Sequence, residues 1–348
     1  MKEFLRNKVI LITGGTGFLG QSLIEEILKH NPKSIRVFSR DEFKHHNLHE
    51  KFGFNYTGGP IRHLIGDVRD YERLKRAMQG CDIVIHAAAL KRIDMIEYNV
   101  EECIKTNVLG TLNVVRAALE NNVGRVVFVS TDKACSPVNT YGACKFVGER
   151  IFIESNFSKG DSRTVLTCVR YGNVINSTGS MIPSFIKKIK NGEEISLTDE
   201  RMTRFLISPK QAVNLIFKAI EFGVGGEIFV PKLPSFKISD LIEALKEVYK
   251  KDNPVKVVGI RPGEKIHEFM INETEASRTY EFDDSFVITS QIEGYQHTIK
   301  YSSYLKRAKK VNFETYNSKE GVLDKEHLRD YLKKMINPLE NQGYYQTK

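Results

Sequence analysis

The chain has 348 residues, 41% of them hydrophobic, and a formal net charge of +9. That is ordinary for a globular protein with one large or two unequal domains. No apolar run approaches the ~18 residues of a membrane span, no signal-peptide core precedes the first strand, and the basic residues are too dispersed to form a nucleic-acid-binding run.

The first predicted strand runs from Lys8 to Gly14 and the first helix from Phe18 to His30. Between them lies Gly14-Gly15-Thr16-Gly17-Phe18-Leu19-Gly20. Small residues at this turn let backbone N–H groups approach a pyrophosphate, and the helix N-terminus adds partial positive charge. The second strand, Ile35 to Ser39, is followed by Arg40, Asp41 and Lys44. An acid here would bind the ribose 2′-hydroxyl of NAD, and an Arg would accommodate the 2′-phosphate of NADP. Arg40 with Lys44 points to NADP over NAD. His45, His46 and His49 are expected in a solvated loop, because no matching Cys or carboxylate set accompanies them; no metal site is expected.

The third strand, His63 to Val68, should turn Asp67 and Val68 toward an adenine. A polar helix, Tyr71 to Met78, and a strand, Asp82 to Ala88, come next. Ala87 belongs to a small-residue wall for the cofactor. The long helix Val100 to Glu120 carries Thr106 and Asn107, which either back-bond to the helix or face the site. An apolar strand, Val126 to Ser130, then opens onto Thr131-Asp132-Lys133, and a helix from Tyr141 to Asn156 begins Tyr-x-x-x-Lys with Tyr141 and Lys145. Residues four apart share a helix face, so the ammonium of Lys145 can sit beside the phenol and favour its ionised form. A phenolate can accept a proton from an alcohol as hydride leaves the same carbon. Tyr71 and Lys75 repeat the spacing in a polar helix, where a solvated face is expected, so the strand end and the Asp-Lys pair make the second copy specific.

After the strand Val165 to Tyr171 the rhythm changes. Helices are expected at Met181–Lys190, Pro209–Phe222, Ser239–Tyr249 and Glu264–Met270, with short strands at Glu194–Leu197, Glu227–Val230 and Val255–Gly259. A terminal helix is expected near Leu323–Met335. The fold class is α/β, a Rossmann-type doubly wound parallel sheet with a smaller α/β substrate-binding lobe. Domain limits are residues 1–175 for the dinucleotide-binding domain, 176–295 for the substrate lobe, with segments that can return to the first domain, and 296–348 for a tail. Cys81, Cys103, Cys135, Cys144 and Cys168 form no C-x-x-C pair, which fits reduced thiols in a cytoplasmic protein.

Together these segments resemble the extended short-chain dehydrogenase/reductases. Within them the chain is most similar to the configuration-inverting UDP-N-acetylglucosamine 4,6-dehydratases that open pseudaminic acid biosynthesis. The matching stretches include Leu11-Ile-Thr-Gly-Gly-Thr-Gly17, Ile65-Gly-Asp-Val-Arg-Asp70, His86-Ala-Ala-Ala-Leu-Lys91, Ser130-Thr-Asp-Lys-Ala134, Tyr141-Gly-Ala143 with Lys145, and Val169-Arg-Tyr-Gly-Asn-Val174. Arg201-Met-Thr-Arg-Phe205 and Ile260-Arg-Pro-Gly-Glu-Lys265 extend them into the second lobe, so coverage runs from about residue 8 to 290. The resemblance implies that Tyr141 takes the C4 hydroxyl proton, Lys133 the C5 proton, and Asp132 protonates the departing C6 hydroxyl. It implies Val174 beside the cofactor, Lys91 and Lys133 beside the sugar, Asn173 on phosphate or sugar, and Arg204 and Arg261 on the diphosphate. Thr178 stands where that family commonly has an Arg. UDP-N-acetylglucosamine is the implied substrate, and a homo-oligomer, dimer to hexamer, the implied assembly. A UDP-sugar 4-epimerase or a C5-retaining dehydratase would share Tyr141 and Lys145; a non-enzymatic NADP-binding regulator is expected to lose one of them.

Overall fold

The computed structural model describes residues 2–53, 59–175, 177, 180–292, 299–306 and 308–340. Nine strands form the main sheet: β1 (Val9–Thr13), β2 (Ser34–Ser39), β3 (Ile61–Ile65), β4 (Ile83–His86), β5 (Arg125–Val129), β6 (Val165–Val169), β7 (Ile228–Pro231), β8 (Thr279–Phe282) and β9 (Ser285–Ile288). Their order is β8-β9-β7-β6-β5-β4-β1-β2-β3. The strands from β3 through β7 run parallel. β9 pairs antiparallel with β7, and β8 with β9.

The central strands are buried along their whole length. β1 reads Val-Ile-Leu-Ile-Thr and β4 Ile-Val-Ile-His, with every residue buried. Such continuous apolar strands need helices on both faces, which is why they alternate with helices in the sequence. The order reverses at β1, between β2 and β4, so a crevice opens beyond the carboxyl ends of these strands.

The helix Pro209–Phe222 packs on β5, β6 and the Phe18–Leu28 helix, and β7 to β9 complete the sheet. These segments return from within 176–295 to the first domain. The rest of that region builds a second core from the helices Met181–Asn191 and Ile238–Tyr249. Ile186, Ile189, Leu241 and Leu245 are buried there with Leu328 and Leu332 of the terminal helix Lys325–Glu340. A small sheet of Ser235–Lys237, Thr203–Ile207 and Asn173–Val174 spans the space between the cores.

Several local expectations are corrected. Residues 264–268 are not helical; Phe269–Ile271 is a strand paired with Tyr316–Asn317. Burial of Met270 and Ile271 against the sheet outweighs the helical look of the segment. The histidine cluster lies on a helix, Glu42–Phe52, because Asp41 caps its start by accepting from the Lys44 N–H at 3.0 Å and Gly53 ends it at φ 65°. His45 is buried, with Nδ1 2.9 Å from His63 Nδ1. β3 stops at Ile65, so Asp67 and Val68 stand in the turn after it. The helix from Val100 to Glu120 has a π-helical middle, Ile104–Leu109. The five cysteines are buried and free. Among the described residues no helix is long and apolar enough to cross a membrane.

Candidate active site

A cleft of about 1840 Å³ opens where the strand order reverses, and every candidate residue within the described part of the chain lines it. Thr178 lies outside the described residues. Gly14 has φ +68°, and a Cβ there would come within 2.9 Å of the Ala88 backbone. A Cβ on Gly20 would lie 2.2 Å from the Gly15 carbonyl oxygen. Only glycine lets the turn close this tightly. Gly17 caps the Phe18–Leu28 helix without a side-chain bond, which leaves the helix start open to the cleft.

At the β2 end Asp41 is committed to its helix: besides the capping bond, its carboxylate lies 3.2 Å from Lys44 Nζ. Arg40 and Lys44 stay exposed on the cleft wall, with Arg40 3.4 Å from Asp67. The alternatives for Thr106 and Asn107 separate. Thr106 Oγ1 is buried on the cleft wall without a hydrogen-bond partner, so a polar group of a ligand can satisfy it. Asn107 instead clamps the backbone of Leu90, accepting from its N–H and donating to its carbonyl, both at 2.8 Å. This fixes the loop that carries Lys91. The glycine cradle and the unsatisfied Thr106 hydroxyl fit a nicotinamide dinucleotide.

The chemical groups converge at the β5 end. Thr131 caps a short 3₁₀ turn, Asp132–Ala134. Asp132 is fully buried; Oδ1 accepts from Thr131 Oγ1 at 2.9 Å and from Lys133 Nζ at 3.0 Å. Oδ2 has no hydrogen-bond partner. Burial raises the Asp132 pKa, against the pull of Lys133. For Lys133 burial works against the ammonium, but Asp132 and Glu268 outweigh it and the pKa is raised.

Asn139 caps the next helix, Thr140–Ser158, by accepting from the Gly142 N–H at 2.8 Å, and its amide donates to the Gly263 carbonyl at 2.8 Å. A Cβ on Gly142 would lie 2.2 Å from the Lys133 carbonyl oxygen, so this helix rests directly on the Asp-Lys turn. The expected pairing of Tyr141 with Lys145 needs correction. Lys145 Nζ donates to the Val129 carbonyl at 2.7 Å and lies over the Phe128 ring at 4.4 Å. Burial pushes its pKa down to about 8. The Tyr141 phenol is pushed up to about 12 by burial, and the opposing cation is Lys133. Desolvation overrides the phenolate-favouring charge of Lys133.

On the substrate side, Asn173 Oδ1 is buried without a partner and faces the cleft, and Arg261 is exposed on its wall. Arg204 differs from expectation. Its guanidinium donates to the carbonyls of Thr203, Ile266 and Lys265 at 2.8, 3.1 and 3.0 Å, so most of its hydrogen bonds are already used inside the protein. Sequence reasoning missed Glu268, which lies 3.3 Å from Lys133 Nζ. The matching Arg-Pro-Gly-Glu-Lys stretch ends three residues short of it, and a single Glu beside a buried strand gives no local signal.

Residues 10–290 match a family described as polysaccharide biosynthesis protein. The UDP-N-acetylglucosamine 4,6-dehydratase (inverting) of Campylobacter jejuni is 45% identical over 288 residues, 82% of this chain and 84% of that protein. A UDP-glucose 4-epimerase of Rickettsia massiliae is 37% identical over 94% of this chain and 98% of its own. An uncharacterized membrane protein of Methanocaldococcus jannaschii is 41% identical over 96% and 98%. The X-ray structure of Pen from Bacillus thuringiensis is 38% identical and superimposes with a TM-score of 0.88 over 95% of this chain and 98% of that one.

Proposed function

Because the chain belongs to the polysaccharide biosynthesis protein family of the extended short-chain dehydrogenase/reductases, and is an enzyme of its dehydratase and epimerase branch, we propose that it is a C5-inverting UDP-N-acetylglucosamine 4,6-dehydratase. The observation that carries this reading is the Asp132–Lys133 pair, hydrogen-bonded at 3.0 Å on the wall shared with Tyr141. An epimerase needs one proton acceptor at C4. Loss of water across C5 and C6 needs, in addition, a base for C5 and an acid for the C6 hydroxyl.

The residues balance the reaction. Tyr141 must first ionise, with Lys133 as the facing cation that favours this; as phenolate it takes the C4 hydroxyl proton. A nicotinamide cofactor, when bound, supplies a hydride acceptor for C4 and the same hydride for C6. The new ketone acidifies the C5 proton. A proton shift from Lys133 Nζ to Asp132 leaves a neutral amine and a neutral acid, the forms that base and acid work require. Lys133 then takes the C5 proton while Asp132 protonates the C6 hydroxyl, which leaves as water. Tyr141, now a phenol, returns its proton to the other face of C5. Phenolate, ammonium and carboxylate are all restored, and the product is a UDP-4-keto-6-deoxy-L-arabino-hexosamine.

The cofactor reading is NADP, supported by Arg40 and Lys44 on the cleft wall and by Asp41 being tied to its helix. Denaturing the purified protein should release NADP; recovery of NAD alone overturns the assignment. Arg261, Asn173 and Lys91 are read as substrate contacts. Arg204 serves the substrate by shaping the Lys265–Ile266 backbone beside it. Met95, Ile104, Leu109 and Phe146 are exposed on neighbouring helices, and Tyr98, in a turn between two of them, is 92% exposed, which supports a homo-oligomer. A cytoplasmic place at the start of pseudaminic acid biosynthesis follows from the same reading.

The epimerase relatives favour a second reading, a UDP-sugar 4-epimerase. One experiment separates the two: incubate the enzyme with UDP-N-acetylglucosamine in deuterated water and record the product by NMR. A 6-deoxy-4-keto sugar with inverted C5 carrying deuterium is expected. A C4 epimer without loss of water overturns the dehydratase reading. Lys133→Met should still form bound reduced cofactor but release little dehydrated product.

A further inference from the structure

Lys133 sits between two carboxylates from different parts of the chain. Asp132 Oδ1 lies 3.0 Å from its Nζ, and Glu268 Oε1 lies 3.3 Å away, from the loop before the Phe269–Ile271 strand. Glu268 is 2% exposed, and its backbone is pinned on both sides. Its N–H donates to Ser318 Oγ at 2.9 Å, and its carbonyl accepts from the Ser318 N–H at 2.8 Å. Two further cations face it, Arg204 Nε at 3.7 Å and Lys265 Nζ at 3.8 Å. Lys265 is itself held by the Cys135 carbonyl at 2.6 Å.

We propose that Glu268 is a positioning residue for the Asp132–Lys133 pair, holding the Lys133 amine on the sugar side of the turn and keeping one proton shared between the two. This rests on the dehydratase reading above. Asp132 alone leaves a lysine free to swing about its flexible stem; a second, rigidly mounted carboxylate removes that freedom. The charge balance points the same way. Lys133, Arg204 and Lys265 bring three positive charges to this pocket, and Asp132 and Glu268 two negative ones; burial keeps the neighbouring Tyr141 phenol from adding a third. Without Glu268 the balance becomes three to one, and the ammonium of Lys133 keeps only one of its two carboxylate partners, Asp132. Burial and the cations act in opposite senses on Glu268, and the cations prevail, so its pKa is lowered and it stays ionised. Only the pair with one shared proton can supply both amine and acid. Glu268 thereby sets the alkaline limit of the elimination step. A purely structural Glu268 would neutralise Arg204 and Lys265 and leave that limit where it is.

The test measures the pH at which Lys133 becomes reactive toward acetic anhydride in the holoenzyme without added sugar nucleotide, read by peptide mass spectrometry. In the wild-type protein the midpoint should lie above the ordinary lysine value of about 10.4. In Glu268→Gln it should move down by about 1–3 units, the usual effect of removing an opposite charge at this distance. Glu268→Asp should keep the wild-type midpoint to within a unit while lowering kcat more than it raises KM. The alkaline limb of kcat for release of dehydrated product should move with the labelling midpoint. An unmoved midpoint in Glu268→Gln overturns the inference, as does a wild-type midpoint at or below the ordinary value, which decides the matter even if the variant does not fold. Failure of the wild-type enzyme to dehydrate UDP-N-acetylglucosamine at any pH overturns the functional reading instead, and the labelling result stands apart from it.

Discussion

Tyr141 and the two arginines of the second lobe show how single groups divide the work. Tyr141→Phe keeps the ring volume and removes the hydroxyl. The protein should fold and lose roughly 10²–10⁴ in turnover, the usual effect of deleting a general base; near-native product formation would mean another group takes the C4 proton. Arg261 and Arg204 should behave differently although both line the cleft. Arg261→Ala should weaken UDP binding by about 1.5–3 kcal/mol, the value of one hydrogen bond to a charged group, with cofactor affinity unchanged by calorimetry. Arg204→Ala strips donors from three backbone carbonyls. It should lower the melting temperature as well as activity. The candidates Asp132, Lys133, Tyr141 and Lys145 were legible because they are close in sequence, and the fold brings all four to one cleft, with Lys145 held by the Val129 carbonyl and not by the Tyr141 phenol. What was not legible is the direction of their pKa shifts. Those depend on burial and on Glu268, which only the tertiary structure brings to Lys133.

The elements carry the site through contacts as tight as any in the core. The Thr140–Ser158 helix touches the Asp-Lys turn at Gly142, where a Cβ would collide with the Lys133 carbonyl at 2.2 Å. Gly142→Ala must therefore push the helix or the turn away. Activity should fall at least as far as in Tyr141→Phe while cofactor is retained, and retention of full activity would show that the contact can relax. Phe128, fully buried in β5, packs on Phe152 of the same helix with ring centroids 5.1 Å apart. Strongly periodic elements such as Tyr71–Met78 and Pro209–Phe222 were predicted to the residue. The Glu42–Phe52 helix escaped detection because its polar, His-rich sequence has little apolar periodicity, although Asp41 before it is a readable cap. The segment 264–270 failed for the opposite reason. Its helical look is local, and its strand pairing with Tyr316–Asn317 is made by residues far along the chain.

At the scale of the whole molecule, a buried charge network fastens the Thr140–Ser158 helix to the Glu273–Ala276 segment. Arg170, at the end of β6 and fully buried, donates to Glu149 at 3.0 and 2.6 Å and to Glu275 at 2.8 and 2.9 Å. Glu149 belongs to the Thr140–Ser158 helix and also accepts from Ser130 Oγ at 2.6 Å. Arg170→Met would strand two buried carboxylates and should cost about 3–5 kcal/mol in chemical denaturation. Burial works against the charge on Glu275, but Arg170 overcomes it and holds the pKa at about 2, below the ordinary 4.5. A carboxylate with a depressed folded pKa stabilises the fold fully above its unfolded value and loses that contribution as pH falls through the folded one. Stability should therefore drop between about pH 4.5 and 2, and a Glu275→Gln protein, though weaker at neutral pH, should lose less across that window.

The sheet order also dictates a timetable. During synthesis β6 emerges with one bare edge, and its cover, β7, begins only at Ile228. At ~5–20 residues per second the ribosome needs about 3–12 s to cross that gap. For those seconds an apolar strand edge, Val165–Val169, is open to other nascent chains. A chain stopped after residue 175 holds the glycine turn, Asp132, Tyr141 and Lys145, yet it should collect in the insoluble fraction, whereas one extended through β7 to β9 and the terminal helix should not.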